Sequence, residues 1–131
     1  MTTHRILVVD DDAAVRRTLQ RALDRAGHTV ILAASGEQAC EILQSGTAVD
    51  VALMDLRMPT MSGRTLFQMI LAQWPLLAAR LAVMSGDPEA EDHAAWMSMH
   101  DLPVLPKPFS LEEVYAMIDA LARPERKQAN G

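Results

Sequence analysis

Short apolar segments recur along the chain and are separated by longer polar stretches. They are Arg5–Val9, Thr29–Ala33, Asp50–Met54, Arg80–Met84 and Pro103–Leu105. Each has the length and the content of aliphatic, often β-branched residues that are typical of a buried strand. The pattern therefore predicts five strands.

Between the strands, the apolar residues follow a helical period instead. In the first such stretch Val15, Leu19 and Leu23 recur every four residues, and most positions between them are polar, with arginine the most frequent. This spacing places the apolar side chains on one face of a helix and the charged side chains on the other. The pattern predicts an amphipathic helix that packs against the sheet with a single face.

Several residue pairs mark where helices begin and end. Ser35 with Gln38, and Ser110 with Glu113, have the spacing of a capping box, in which each side chain bonds a backbone N–H of the first turn. The pair Trp74–Pro75 is typical of a helix end, because proline disfavours helical geometry at the residue before it. These signals place helices after the second, third and fifth strands.

Strands and helices alternate in five pairs without interruption. This alternation favours a mostly parallel sheet with helices on both faces, because parallel strands need crossover connections, which are right-handed. The sequence therefore predicts an α/β protein with a flavodoxin-like, doubly wound sheet of five strands in the order 2-1-3-4-5 and five helices. Ligands of such folds bind outside the carboxyl ends of the strands, where the first and third strands meet.

Length and composition restrict the class of protein. A chain of 131 residues is the size of one domain. Its net charge of −5 provides no broad basic field for nucleic acid or an anionic membrane. The single cysteine, Cys40, excludes an internal disulfide and fits a reducing compartment. Because there is neither a signal peptide nor an apolar run of membrane-spanning length, the expected location is cytoplasmic.

Acidic residues cluster at two of the predicted strand ends. Asp10, Asp11 and Asp12 follow the first strand, and Asp55 follows the third. Like charges this close oppose one another's ionisation unless a metal ion, a lysine or solvent compensates them. In the predicted fold Asp10, Asp11 and Asp55 converge on one crevice, and such hard oxygen donors suit Mg²⁺. Asp12 directly precedes a helix, so we favour it as the N-cap rather than as a ligand.

Two more polar residues reach the same edge of the predicted sheet. Ser85 follows the fourth strand and Lys107 follows the fifth. A hydroxyl, an ammonium and a metal ion around the Asp55 carboxylate match the requirements of phosphoryl transfer, in which cations offset the charge on phosphorus oxygens. Each residue alone is typical of a turn or a surface, so the hypothesis rests on their convergence.

Four motifs carry a resemblance to a known family. They are "VVDD" at Val8–Asp11, "MDLRMPTMSG" at Met54–Gly63, "MSG" at Met84–Gly86 and "KPF" at Lys107–Phe109. In their order and spacing they resemble the CheY-like receiver domains of two-component response regulators. The resemblance covers residues 1–123 as the receiver domain and leaves residues 124–131 as a short, polar, flexible tail.

The resemblance implies a metal site. By similarity to the family, Asp11 is the direct carboxylate ligand of Mg²⁺, Asp10 holds metal-bound water, and Asp55 and the backbone carbonyl of Arg57 complete the ligand set.

The resemblance also implies a phosphorylation site and its partners. Asp55 is the phosphoacceptor, Ser85 bonds a phosphoryl oxygen, and Lys107, aimed inward by a cis peptide to Pro108, pairs with the phosphoryl group. A histidine kinase or phosphotransfer protein is the expected donor. An unknown downstream protein is expected to bind the face of the fourth predicted helix, the fifth strand and the fifth predicted helix.

One position departs from the family pattern. Receiver domains usually carry tyrosine or phenylalanine three residues before the lysine, whereas this chain has Val104. Switching must then use backbone shifts or another side chain. Nearby Trp96, Met97 and Met99 have helical spacing, which favours core packing over the alternative of partner docking.

Alternative functions remain open from the sequence. The chain resembles receiver modules of hybrid histidine kinases as well as freestanding regulators, and its Met1 start favours the latter. A Mg²⁺-dependent phosphatase with an aspartyl intermediate would need an acid–base residue and a substrate cap, for which the chain has no room. A flavin carrier on the same fold is disfavoured, because clustered acids would repel the flavin phosphate.

Overall fold

The computed structural model describes residues 2–87 and 91–123, apart from the side chains of residues 91 and 92. Its strands are β1 Arg5–Val9, β2 Thr29–Ala33, β3 Val51–Asp55, β4 Leu81–Ser85 and β5 Val104–Pro106. They form one parallel sheet in the order β2-β1-β3-β4-β5, which confirms the predicted fold. The predicted tail at residues 124–131 lies outside the described residues.

The last three strands each lie one residue later than predicted. The sequence places Asp55 and Ser85 just beyond their strands, whereas in the structure each is the last residue of its strand. Asp55 pairs with Met84, and Ser85 pairs with Pro106. The apolar pattern stops at these polar residues but the backbone ladder does not. Both polar side chains therefore emerge from regular strands.

The helices follow the prediction with one addition. They are α1 Ala13–Arg25, α2 Gly36–Gln44, α3 Gly63–Gln73, α4 Pro75–Ala78, α5 Glu91–Met99 and α6 Leu111–Leu121. Five have nine residues or more, as predicted, and α4 is a single extra turn. Proline is well tolerated in a first turn, so Pro75 follows the end of α3 and begins α4. No helix in these ranges is long and apolar enough to cross a membrane.

The predicted helix caps are present, with one difference in detail. Ser110 Oγ accepts from the N–H of Glu113, and Glu113 Oε1 accepts from the N–H of Ser110, as a capping box requires. Ser35 Oγ accepts from the N–H of Gln38, but the Gln38 side chain accepts from the N–H of Ala34 rather than from that of Ser35. Gln38 thus satisfies a donor one residue before the cap.

The sheet is buried on both faces. Leu7 and Val9 of β1 belong to a core cluster that includes residues of α2 and α3. Ile6 and Val8 belong to the opposite cluster, which includes residues of α1 and α6. All four side chains are fully buried. Burial on both faces explains why β1 is an uninterrupted apolar run rather than an alternating one.

Residues of α5 divide between core and surface. Met97 is buried, Trp96 is half-buried, and Met99 is 77% exposed, so core packing was the wrong expectation for Met99. The Trp96 ring contacts Phe67 of α3 edge-on, with ring centroids 5.5 Å apart. Val104 packs, partly buried, against the same core cluster as Met97. Met97, Trp96 and Val104 therefore belong to or pack against the core between the helices and the sheet, whereas Met99 faces solvent.

The start of α3 lies very close to the end of β3. A Cβ atom at Gly63 would lie 2.7 Å from the carbonyl oxygen of Asp55 and 2.8 Å from the Cα of Leu56. Both are backbone atoms, which cannot move aside as the end of a side chain can. Glycine at this position is therefore a packing requirement of the segment that carries Asp55.

We expect Gly63→Ala to lower the free energy of unfolding by about 1–3 kcal/mol, because the added methyl group overpacks this contact. Gly86→Ala is the matched control, since its Cβ would have no heavy atom within 4 Å. Neither glycine has a positive φ. Denaturant unfolding measures both variants, and an equal stability of the two would contradict the requirement.

We expect Val104→Tyr to lower the free energy of unfolding by about 1–3 kcal/mol, because Val104 already packs against the core cluster and a larger side chain would overpack it. Val104→Ile, which adds one methylene, is the control for a smaller increase in volume. Thermal and denaturant unfolding report the difference. An unchanged stability of Val104→Tyr would reveal an open groove between α5 and β5.

Candidate functional site

Polar side chains gather at the carboxyl edge of the sheet. Asp10 directly follows β1, Asp55 ends β3, Ser85 ends β4, and Lys107 directly follows β5. Asp10, Asp55 and Ser85 are buried, with exposed fractions of 0%, 7% and 4%. Buried polar groups need partners, so this edge is a built site rather than a solvated turn.

The three predicted acidic residues converge. Asp10, Asp11 and Asp55 each offer one carboxylate oxygen, and these oxygens all lie within 4.8 Å of one another. Asp11 is exposed, whereas the other two are buried. A set of carboxylate oxygens of this size suits a small divalent cation such as Mg²⁺, which takes one or two carboxylates and keeps several waters. The donor set therefore fits the ion that the sequence predicts.

Lys107 supplies positive charge to the acids. Its Nζ lies 2.8 Å from Asp10 Oδ2 and 3.6 Å from Asp55 Oδ1. Its backbone N–H donates to the carbonyl oxygen of Ser85, at 2.8 Å, which fixes the chain beside β4. The peptide between Lys107 and Pro108 is cis, as predicted. The structure thus brings Lys107 to the acids from a position 97 residues away in the chain.

Ser85 ends the strand next to that of Asp55, and Arg57 follows Asp55 by two residues in the chain. Ser85 Oγ accepts from the N–H of Asp87, at 3.1 Å. The backbone N–H of Arg57 donates to Asp55 Oδ1 at 3.4 Å, while its side chain is exposed. The backbone of Arg57 therefore contacts the acidic site, but the ligand role of its carbonyl oxygen stays a prediction.

Burial and charge shift two pKa values at the site. The pKa of Asp55 is raised from 3.8 to about 6, first because burial desolvates the carboxylate and then because Asp10 is close. Lys107 and the N–H of Arg57 oppose this rise only partly. For Lys107, desolvation lowers the pKa, but the hydrogen bond to Asp10 and the charge of Asp55 outweigh it and raise the pKa. The ammonium therefore stays protonated among the acids.

The structure confirms the prediction for Asp12 and differs from the prediction for Arg16. Asp12 Oδ1 accepts from the N–H of Ala14 at 2.8 Å, which confirms it as the N-cap of α1. Arg16 was predicted as one of several charged residues on an outer helix face, but its Nη1 donates to the carbonyl oxygen of Asp10 at 2.7 Å. No sequence signal separates Arg16 from its neighbouring arginines, so this contact was missed.

The sequence matches the model of a known protein family and several curated proteins. The family model of the response regulator receiver domain matches residues 6–119. The DNA-binding transcriptional regulator NtrC of Escherichia coli is 35% identical over 133 residues, which cover 96% of this chain and 28% of NtrC. Response regulator MprA of Mycobacterium ulcerans is 36% identical over 119 residues, which cover 91% of this chain and 50% of MprA. The chain therefore spans half or less of the length of these relatives.

Solved structures show the same architecture. Chemotaxis protein CheY4 of Vibrio cholerae matches with a TM-score of 0.82 at 22% identity, over 92% of this chain and 99% of CheY4. Full-length FixJ from B. japonicum matches with a TM-score of 0.80 at 31% identity, over 96% of this chain and 63% of FixJ. With the family match over most of its length, the chain belongs to the receiver domains of two-component response regulators.

Proposed function

We propose that this receiver domain accepts a phosphoryl group on Asp55 from a phosphohistidine of a histidine kinase or phosphotransfer protein, in a Mg²⁺-dependent reaction. The observation that carries the proposal is the position of the Asp55 carboxylate. It lies at the end of a buried strand, close to two further carboxylates and 3.6 Å from the Lys107 ammonium. A nucleophile among cation-binding groups is the arrangement that phosphoryl transfer needs.

In the proposed reaction, an oxygen of Asp55 attacks the phosphorus atom of the phosphohistidine. The new O–P bond forms as the P–N bond breaks, and the bonding electron pair leaves with the imidazole nitrogen of the donor. The acids Asp10, Asp11 and Asp55, with the backbone carbonyl of Arg57, would hold Mg²⁺. When bound, the ion supplies positive charge that offsets the negative charge of the phosphoryl oxygens.

Two further residues have roles toward the phosphoryl oxygens. The Lys107 ammonium lies 3.6 Å from Asp55 Oδ1, so a short movement would let it pair with an oxygen of a phosphoryl group on Asp55. The bond from Asp87 to Ser85 Oγ uses a lone pair of the hydroxyl and leaves its hydrogen available for donation. Together they would stabilise the phosphorylated form at the edge of β4 and β5.

The donor protein needs a surface beside the acids. An open depression of about 420 Å³ lies between the start of α1 and the segment after β5, and Lys107 of the site is part of its lining. Its lining is mainly apolar and includes Val15, Pro108 and Phe109 next to Lys107. Apolar surface next to a charged reaction centre supports docking of the donor on this side. The downstream protein would bind the face of α5, β5 and α6.

Phosphorylation is tested with acetyl phosphate as a small donor and intact-mass measurement. We expect a gain of one phosphoryl group with MgCl₂ and none with a chelator, because uncompensated acids repel the incoming dianion. Asp55→Asn should gain nothing. Asp12→Asn is the control, since asparagine also caps a helix and the variant should still be phosphorylated. A phosphoryl group on Asp55→Asn would contradict the assignment of the acceptor.

The raised pKa of Asp55 predicts the effect of pH on the metal-free protein. Because the folded state binds this proton more tightly than the unfolded state, stability falls as pH rises from about 4 to about 6. Asp55→Asn removes the effect, so in chelator at neutral pH it should be more stable than the wild type by roughly 1–3 kcal/mol. The two proteins should converge below the ordinary carboxyl pKa.

Denaturant unfolding of both proteins across this pH range measures the difference. MgCl₂ should reduce the gap at neutral pH, because an ion that binds only the folded site stabilises the wild type. A constant difference between the two proteins at every pH would show that Asp55 ionises at its ordinary pKa.

A further inference from the structure

The loop from β1 to α1 is fastened to Arg16 at both of its ends. The Arg16 side chain donates from Nη1 to the carbonyl oxygen of Asp10, at 2.7 Å. The Arg16 backbone N–H donates to the carbonyl oxygen of Asp12, at 3.1 Å. A third bond, from the N–H of Asp12 to Asp10 Oδ1 at 2.9 Å, closes the loop from inside. The peptides on either side of Asp11 are therefore both fixed.

Asp11, at the centre of this loop, has no such support for its own side chain. Its carboxylate is exposed, and within residues 2–87 and 91–123 it takes part in no hydrogen bond or ion pair. Nevertheless one of its oxygens lies within 4.8 Å of oxygens of Asp10 and Asp55. Because no partner holds the side chain, the region that this oxygen can reach is set by the backbone of the loop and by the rotamers of Asp11.

We propose that Arg16 is a positioning residue for the metal site, which acts through the Asp10 carbonyl to hold the Asp11 carboxylate beside Asp10 and Asp55. The inference rests on the proposed function, because it assumes that these acids bind Mg²⁺. Arg16 belongs to the first turn of α1 and is half-buried, unlike its exposed neighbour Arg17.

The physical reason is the strength of the bond that Arg16 makes. A charged donor forms a stronger hydrogen bond than a neutral one. Because Asp10 is fully buried, water does not readily replace a hydrogen bond lost at its carbonyl oxygen, so the loss costs free energy. Without Arg16, the peptide between Asp10 and Asp11 is free to turn toward another partner. The side chain that turns with it is that of Asp11.

A positioning role and a purely electrostatic role of Arg16 predict opposite changes in Mg²⁺ affinity when its side chain is removed. A guanidinium close to a cation site repels the cation, so an effect through charge alone would make Mg²⁺ bind more tightly once Arg16 is removed. An effect through position would make Mg²⁺ bind more weakly. The sign of the change in affinity therefore separates the two explanations without any measurement of phosphorylation.

The experiment is a calorimetric titration of MgCl₂ into the full chain, for the wild type, Arg16→Ala and Arg17→Ala. The two variants lose the same charge at adjacent residues. We expect Arg16→Ala to raise the Mg²⁺ dissociation constant roughly tenfold or more, as loss of a supporting contact behind a ligand commonly does. Arg17→Ala should stay within about twofold of the wild type, because solvent screens an exposed charge.

Arg16→Lys tests the geometry at constant charge and serves if Arg16→Ala does not fold. Lysine is shorter than arginine and should restore the contact with the Asp10 carbonyl only in part. The Mg²⁺ affinity of Arg16→Lys should therefore lie below that of Arg17→Lys. Equal affinities of the Arg16 and Arg17 variants, or tighter binding by Arg16→Ala, would overturn the positioning role. Absence of Mg²⁺ binding by the wild type itself would instead overturn the proposed function.

Discussion

The structure depends on one electrostatic constraint: two buried carboxylates and an exposed one at a single sheet edge, offset by one ammonium. Lys107 lies 2.8 Å from Asp10 and 3.6 Å from Asp55. This partial compensation leaves the pKa of Asp55 raised to about 6, because desolvation and the charge of Asp10 outweigh the lysine. An additional cation at this site would offset the remaining negative charge, and its binding would favour the ionised form of Asp55.

The fold satisfies this constraint through its backbone rather than through long side chains. Asp55 ends β3 opposite Met84, and Ser85 ends β4 at the next residue. A backbone hydrogen bond from Lys107 to the Ser85 carbonyl oxygen fixes the end of β5 beside them. Gly63 allows α3 to begin against the carbonyl of Asp55 without a clash. Because cores on both faces fix the sheet, the edge residues have little freedom to separate and relieve their repulsion.

The sequence predicted the elements from local apolar periodicity. It predicted the topology and the convergence of the acids from the alternation of strands and helices, which few parallel folds accommodate. It set three strands one residue early, since the ladder continues through Asp55 and Ser85 where hydrophobicity ends. It also assigned Arg16 to an outer helix face. Arginine on a helix is ordinarily solvated, and whether its guanidinium reaches back to a carbonyl depends on the loop conformation, which no local pattern encodes.

The position of the aromatic rings bears on how a receiver with valine at residue 104 transmits a change. The rings of Trp96 on α5 and of His100, which directly follows α5, both contact Phe67 of α3, with centroids 5.5 and 5.1 Å apart. These contacts connect α5 to α3 rather than to β5. Since edge-on aromatic pairs contribute about 0.5–1.5 kcal/mol beyond burial, a shift of α5 must break or slide them. A movement of α5 relative to α3 would therefore be resisted by these ring contacts, whereas Val104 has no ring whose rotation could take part.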